Sequence, residues 1–178
     1  TQLREDEFVD LVRFMSELGK EGKYKTSTNR FARQWEVLPA DSSNPGTIHH
    51  YGAGMFAQEF SGYNWVPFYA MVGGGIPMAE VPVALHRRGD KYQVMRTHIE
   101  ISKTGKHEMR LQGNPSQMNL FLGKEKIELL PKGEGADLFL DCKTTGKQEI
   151  LLVLRGAGSK TQFSLEALSE DIKLIQTF

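Results

Sequence analysis

Apolar residues recur at spacings of three and four at the start of the chain. Phe8, Leu11, Val12, Met15 and Leu18 fall on one stripe, widened by Phe14, while Asp6, Glu7, Asp10, Arg13 and Glu17 take the other side. This period predicts an amphipathic helix from Leu3 to Leu18. Acidic residues crowd its first turn, Leu3 and Phe8 are placed as a hydrophobic staple, and Gly19 stands where a left-handed C-terminal cap belongs. Residues 20–30 have no apolar period and predict a connector.

Beyond it the period changes from helical to alternating. QWEVL at 34–38 predicts a first strand, and ADSSNPGT at 40–47 is dense in turn-formers. From Tyr63 onward short apolar or alternating runs follow one another: WVPFYAMV, KYQVMRTHIEIS, HEMRLQG, MNLFLG, ADLFLD, EILLVLRG, TQFSLEAL and IKLIQTF. Runs recurring about every ten residues between glycine-containing turns are the signature of a sandwich or barrel, and the fold expected is an antiparallel, jelly-roll-like β-sandwich. The expected organisation is a helix and connector at 1–30 and a sandwich at 31–178. The TGK runs at 104–106 and 145–147 predict hairpin turns that start strands, because glycine supplies the positive φ such turns need. They open an echo, GKHEMRL at 105–111 and GKQEILL at 146–152, read as two similar hairpins and not as a duplicated domain.

Charge adds mainly exclusions. With 22 basic and 22 acidic residues the chain has no net charge to draw it to nucleic acid or anionic lipid. No stretch reaches the apolar length of a membrane span. TQLREDE has the wrong chemistry for a signal peptide, and a helix at the very start without a methionine reads as a segment of something longer.

Candidate chemistry is sparse. The single cysteine, Cys142, lies in the strand-like run ADLFLDCKTT and reads as a packed small residue, with Lys143 the only nearby cation that could activate it. His49, His50, His86, His98 and His107 are scattered, without the local spacing of a metal site, and neither HExxH, CxxC nor CxxCH occurs. Gly73, Gly74 and Gly75 precede Ile76-Pro77-Met78, not a helix, so they predict a flexible bend between strands and not a phosphate cradle. No GxSxG elbow is present. Paired carboxylates of a glycoside-active enzyme remain open, since they need no local motif.

Aromatic residues cluster: Tyr51, Phe56, Phe60, Tyr63, Trp65, Phe68 and Tyr69. Trp65, Phe68 and Tyr69 lie in a strand-like run and are expected to pack inwards, whereas Tyr51, Phe56 and Tyr63 are expected to be exposed. Rings of this kind stack on sugars or fill a partner's pocket. Tyr51, Phe56, Tyr63 and Trp65 are therefore the candidate ligand-binding residues of a carbohydrate-binding module.

Two stretches resemble a known family. EDEFVDLVRFMSELGKEGKYKTSTNRFARQWEVL at 5–38 is similar to the end of the cytochrome c domain in large multidomain, dehydrogenase-like haem proteins of planctomycetes and related bacteria. QMNLFLGKEKIELLPKGEGADLFLDCKTTGKQEILLVLRG at 117–156 resembles the β-rich module that follows it there. The resemblance implies the C-terminal region of an exported protein, periplasmic or extracellular. It implies neighbouring domains as partners and haem c only in an upstream domain, since this chain has no CxxCH. The function expected is that of a non-catalytic accessory or interaction module, with polysaccharide as an alternative partner.

Overall fold

The structure, a computed structural model, describes residues 30–39, 63–71, 73–87, 90–155 and 162–175, together with Phe8, Val9 and Val12. Apart from those three positions the predicted helix lies outside the described residues, as do the turn-rich segment at 40–47, Tyr51 and Phe56.

Among the described residues the fold is almost entirely β, as the alternating runs require. Each run named above holds one strand: β1 (Gln34–Val37), β2 (Val66–Tyr69), β5 (Asp90–Ile101), β6 (Gly105–Gln112), β7 (Met118–Leu122), β10 (Gly135–Cys142), β11 (Gly146–Arg155), β12 (Gln162–Ala167) and β13 (Ile172–Leu174). Four short strands complete the set: β3 (Ile76–Pro77), β4 (Leu85–Arg87), β8 (Glu125–Ile127) and β9 (Leu129–Lys132). They form two antiparallel sheets. One has eight strands, in the order β2-β1-β5-β11-β7-β8 with β4 and β13 also on β5; the other has five, in the order β3-β12-β6-β10-β9.

The inner faces of the two sheets share one core. Met95, Ile99, Ile101, Ile150, Leu152 and Leu154 from the larger sheet meet Met109, Leu111, Leu138, Leu140, Phe163 and Leu165 from the smaller. An aromatic pair ties the sheets together, Trp35 of β1 and Phe163 of β12 meeting edge to face with centroids 5.3 Å apart. The Trp35 indole N–H donates to Ala32 O at 2.9 Å, so the ring is buried without leaving its polar atom unpaired. Gln93, buried on β5, is satisfied similarly: its amide donates to Met78 O and Val81 O at 2.8 and 2.6 Å, stitching the 78–81 loop to the sheet.

One ladder spans both sheets. In the larger sheet β5 and β11 pair from Tyr92↔Arg155 to Ile101↔Gly146. In the smaller, β6 and β10 pair from Gly105↔Cys142 to Gln112↔Gly135. The interruption is residues 102–104 on one side and 143–145 on the other, equal in length, so the register continues without a slip. The two TGK runs therefore start strands as expected, but they do not make hairpins. They are the two corners at which one long two-stranded ribbon folds over on itself, because β5 and β6, like β10 and β11, belong to different sheets.

The sequence echo follows from this. Each corner begins its second strand on a glycine at positive φ, Gly105 at 130° and Gly146 at 100°. Each is braced by the residue two further on, which reaches back four residues: His107 Nε2 to Lys103 O at 2.6 Å, Gln148 Nε2 to Thr144 O at 2.9 Å. Both glycines have open space where a Cβ would stand, so an alanine there costs backbone strain alone. Gly105→Ala and Gly146→Ala are each expected to lower stability by about 1 to 3 kcal/mol, read from urea midpoints. No change in either would mean that the corners do not hold these angles.

Gly73 to Gly75 form a hydrogen-bonded turn: Met71 N–H donates to Gly75 O at 2.9 Å and Gly74 N–H to Met71 O at 2.8 Å. Gly74 sits at φ 79°, and a Cβ there would come within 2.5 Å of Phe31, so only glycine fits. Strand β3 follows, not a helix.

Candidate functional site

The outer face of the eight-stranded sheet changes character along its length, and the sequence of β11 shows why. In Ile150–Leu154 every residue is buried, so both faces are covered there and the run reads as unbroken apolar. Leu38, Val94, Phe121, Leu151 and Val153 form a second, outer cluster, with Tyr63, Trp65, Ala84 and Tyr92 packed against it. Towards the corners the same strands alternate apolar with polar, and their outward residues are charged.

Strand pairing sets those residues in rows. Pro67 stands opposite Glu36, Glu36 opposite Arg96, and Arg96 opposite Leu151. In the next row Tyr69 stands opposite Gln34 and His98 opposite Glu149. Lys173, Glu100 and Lys147 follow. Gln34, Glu36, Pro67, Tyr69, Arg96, His98 and Lys147 line a groove of about 490 Å³.

Arg96 organises the groove. Its Nε donates to Glu36 Oε2 at 2.8 Å and its Nη1 to Glu149 Oε2 at 3.0 Å, while the guanidinium lies over the Trp65 ring, 4.3 Å from the centroid. One planar cation thus fixes two carboxylates and a ring from three other strands or loops. His98 is 4.0 Å from Glu149. Burial first, and then the Lys147 ammonium, hold His98 below the ordinary imidazole value, against the opposing pull of Glu149.

The folded chain therefore binds this proton less readily than the unfolded chain. Stability is complete above about pH 6.5, the unfolded value, and is lost as the pH falls through the lowered folded value. Urea midpoints measured at pH 7.5 and 5.0 are expected to fall more for the parent chain than for His98→Gln. An equal fall would show that His98 is not the group responsible.

The aromatic expectations divide. Phe68 packs against the main core, as predicted. Tyr69 does not pack inwards: it is 60 % exposed, because it alternates with Phe68 and so stands on the outer face. Trp65 and Tyr63 both pack partly buried on the outer cluster, so Tyr63 is less open than expected and Trp65 joins a different core from Phe68. Of the four candidate binding residues, Tyr51 and Phe56 lie outside the described residues, and Trp65 reaches the groove through Arg96. Gln34 and Arg96 were not picked out from the sequence, since each comes from a run that individually reads only as a strand, while His98 was read only as a scattered histidine and Tyr69 only as an inward-packing ring.

Other candidates stand apart from the groove. Cys142 is buried, as read from the sequence, and burial followed by the Asp141 charge pushes its thiol pKa up, away from a reactive thiolate. Lys143 does not activate it; its ammonium donates to Glu125 at 2.8 Å. Among the described residues no three His, Cys, Asp or Glu side chains gather as metal ligands, and no helix is long and apolar enough to cross a membrane. On the smaller sheet Asp137 accepts from Lys132 and Arg110, and these bonds, Lys132 foremost, hold its carboxyl below the usual range. Compared with family models, curated proteins and solved structures, the chain matches none.

Proposed function

We propose that this chain is a non-catalytic accessory module of a larger exported, haem-containing protein, joined to a neighbouring domain through the apolar stripe of its N-terminal segment. The observation that carries the reading is the exposure of the two residues of that stripe that the structure describes. Phe8 and Val12, four residues apart, are 56 % and 48 % exposed, the expected state of an apolar helical face covered by something outside this chain.

The sandwich supports the non-catalytic part. Glu36 and Glu149 are both engaged by one guanidinium, so neither carboxylate is presented alone to a reacting bond as a glycosidase pair would be. Cys142 is packed in the shared core, where a thioether to haem would displace core neighbours. In this reading haem belongs to the neighbour.

Phe8→Asp with Val12→Asp tests the reading. In the isolated chain the pair is expected to leave the melting temperature unchanged; in the parent protein it is expected to lower that of the adjoining domain. A fall in the isolated chain would place the stripe on the sandwich instead. Sequencing the source gene upstream of Thr1 provides the second check: absence of a CxxCH-containing domain overturns the assignment.

A further inference from the structure

We infer that the groove from Tyr69 through Gln34 and His98 to Lys147 binds a neutral sugar unit of a polysaccharide. This gives the module a ligand and rests on its reading as an exported accessory domain, although the site is built entirely within the sandwich.

Charge balance argues for a neutral ligand. Arg96 and Lys147 line the groove with Glu36, and Glu149, bound to Arg96 beside it, offsets the second cation, while His98 is held towards its uncharged form, so neither an anion nor a cation gains a net attraction. What remains is a mixture of donors and acceptors. Gln34 Oε1 is buried, and among the described residues no donor reaches it. A buried acceptor left empty costs free energy, and a turn of the Gln34 amide towards the groove it lines would let a ligand hydroxyl recover it. Lys147 and His98 supply donors, and the carboxylates of Glu36 and Glu149 have lone pairs beyond those given to Arg96. A sugar presents this alternation of hydroxyl donors and acceptors around its ring.

The apolar side of the ligand has a partner too. Tyr69 projects from β2, the edge strand among the described residues, at the rim of the groove beside Pro67, offering a flat surface for the C–H face of a pyranose. The groove volume falls within the range of small-ligand sites. Its central residue is held in advance by two carboxylates and the Trp65 ring, which lowers the ordering cost of binding.

A peptide strand is a poorer occupant. Ala70 N–H bonds to Arg33 O, so alternate residues of β2 turn their backbone groups away from β1, and Pro67 occupies one of those outward positions. Having no N–H, it blunts the edge against strand addition.

Affinity electrophoresis of the chain in gels containing arabinoxylan, glucomannan, mixed-linkage β-glucan, pectate or alginate decides the matter. Retardation is expected by at least one neutral polysaccharide, with little dependence on salt. Tyr69→Ala should weaken it at least tenfold while leaving the urea midpoint unchanged, because that ring is exposed. Gln34→Ala should weaken it as well, and Phe139→Ala, on the other sheet, should not. No retardation by any neutral polymer overturns the inference, as does binding confined to pectate and alginate that salt abolishes. So does neutral binding that survives Tyr69→Ala and Gln34→Ala. None of these outcomes bears on the Phe8 and Val12 stripe, so the two readings fail separately.

Discussion

Replacing Phe163 by alanine is expected to destabilise the fold by about 3 to 5 kcal/mol, the range for a fully buried aromatic ring. Phe163 is 1 % exposed and touches Trp35 across the gap between the sheets, so the lost ring leaves a cavity at the joint between the layers. Neither sheet can close that gap without pulling its ladder out of register, which is why relaxation should recover little. Phe139 gives the contrast. It belongs to the same sheet but is 47 % exposed on the outer face, and Phe139→Ala should change stability by no more than about 0.5 kcal/mol. Urea unfolding of both variants measures the difference. Similar losses would mean that the sheet faces are assigned the wrong way round.

Gly135→Ala should be nearly as damaging, by a different route. A Cβ at Gly135 would lie 2.3 Å from Leu111 O and 3.1 Å from Gln112 Cα, both backbone atoms of the partner strand. Backbone cannot swing aside as a side chain can, so the Gln112↔Gly135 pair that ends the β6–β10 ladder must separate, at about 3 kcal/mol. Gly133 in the same turn has open space around it and φ 60°, so Gly133→Ala should cost only about 1 kcal/mol, from the left-handed backbone. Comparable effects of the two alanines would rule out steric contact as the cause. For a domain with total stability of about 5 to 15 kcal/mol, Phe163→Ala or Gly135→Ala alone removes a large share.

Much of the sandwich was readable because its long strands carry their burial in the sequence. The HIEIS and HEMRL runs alternate, and ADLFLDC places Cys142 on the inner face with Leu138 and Leu140. The short strands were not readable: β3 has two residues and β8 three, too few to show a period. The sheet partition was hidden for another reason. A tight glycine turn has the same local chemistry whether it joins neighbours in one sheet or carries the chain to the other, and only pairing tells them apart. The groove was least legible, since Tyr69, Gln34, His98 and Lys147 come from four strands and meet only through register. Its aromatic member was misjudged because a strand-like run implies burial of one face, and Tyr69 lies on the other.

The folded-over ribbon has a consequence for evolution and engineering. Since one register serves both layers, the identity of the groove is written partly at the corners. Inserting a single residue into 102–104 alone, or into 143–145 alone, would slide one strand past its partner in one sheet while the other stayed fixed, and a slip between β5 and β11 would turn Arg96 and His98 towards the core and Met95 and Ile99 towards the groove. Matched insertions in both corners would preserve the face. Length changes at the two corners should therefore be tolerated as a pair and rejected singly, although neither corner touches the groove.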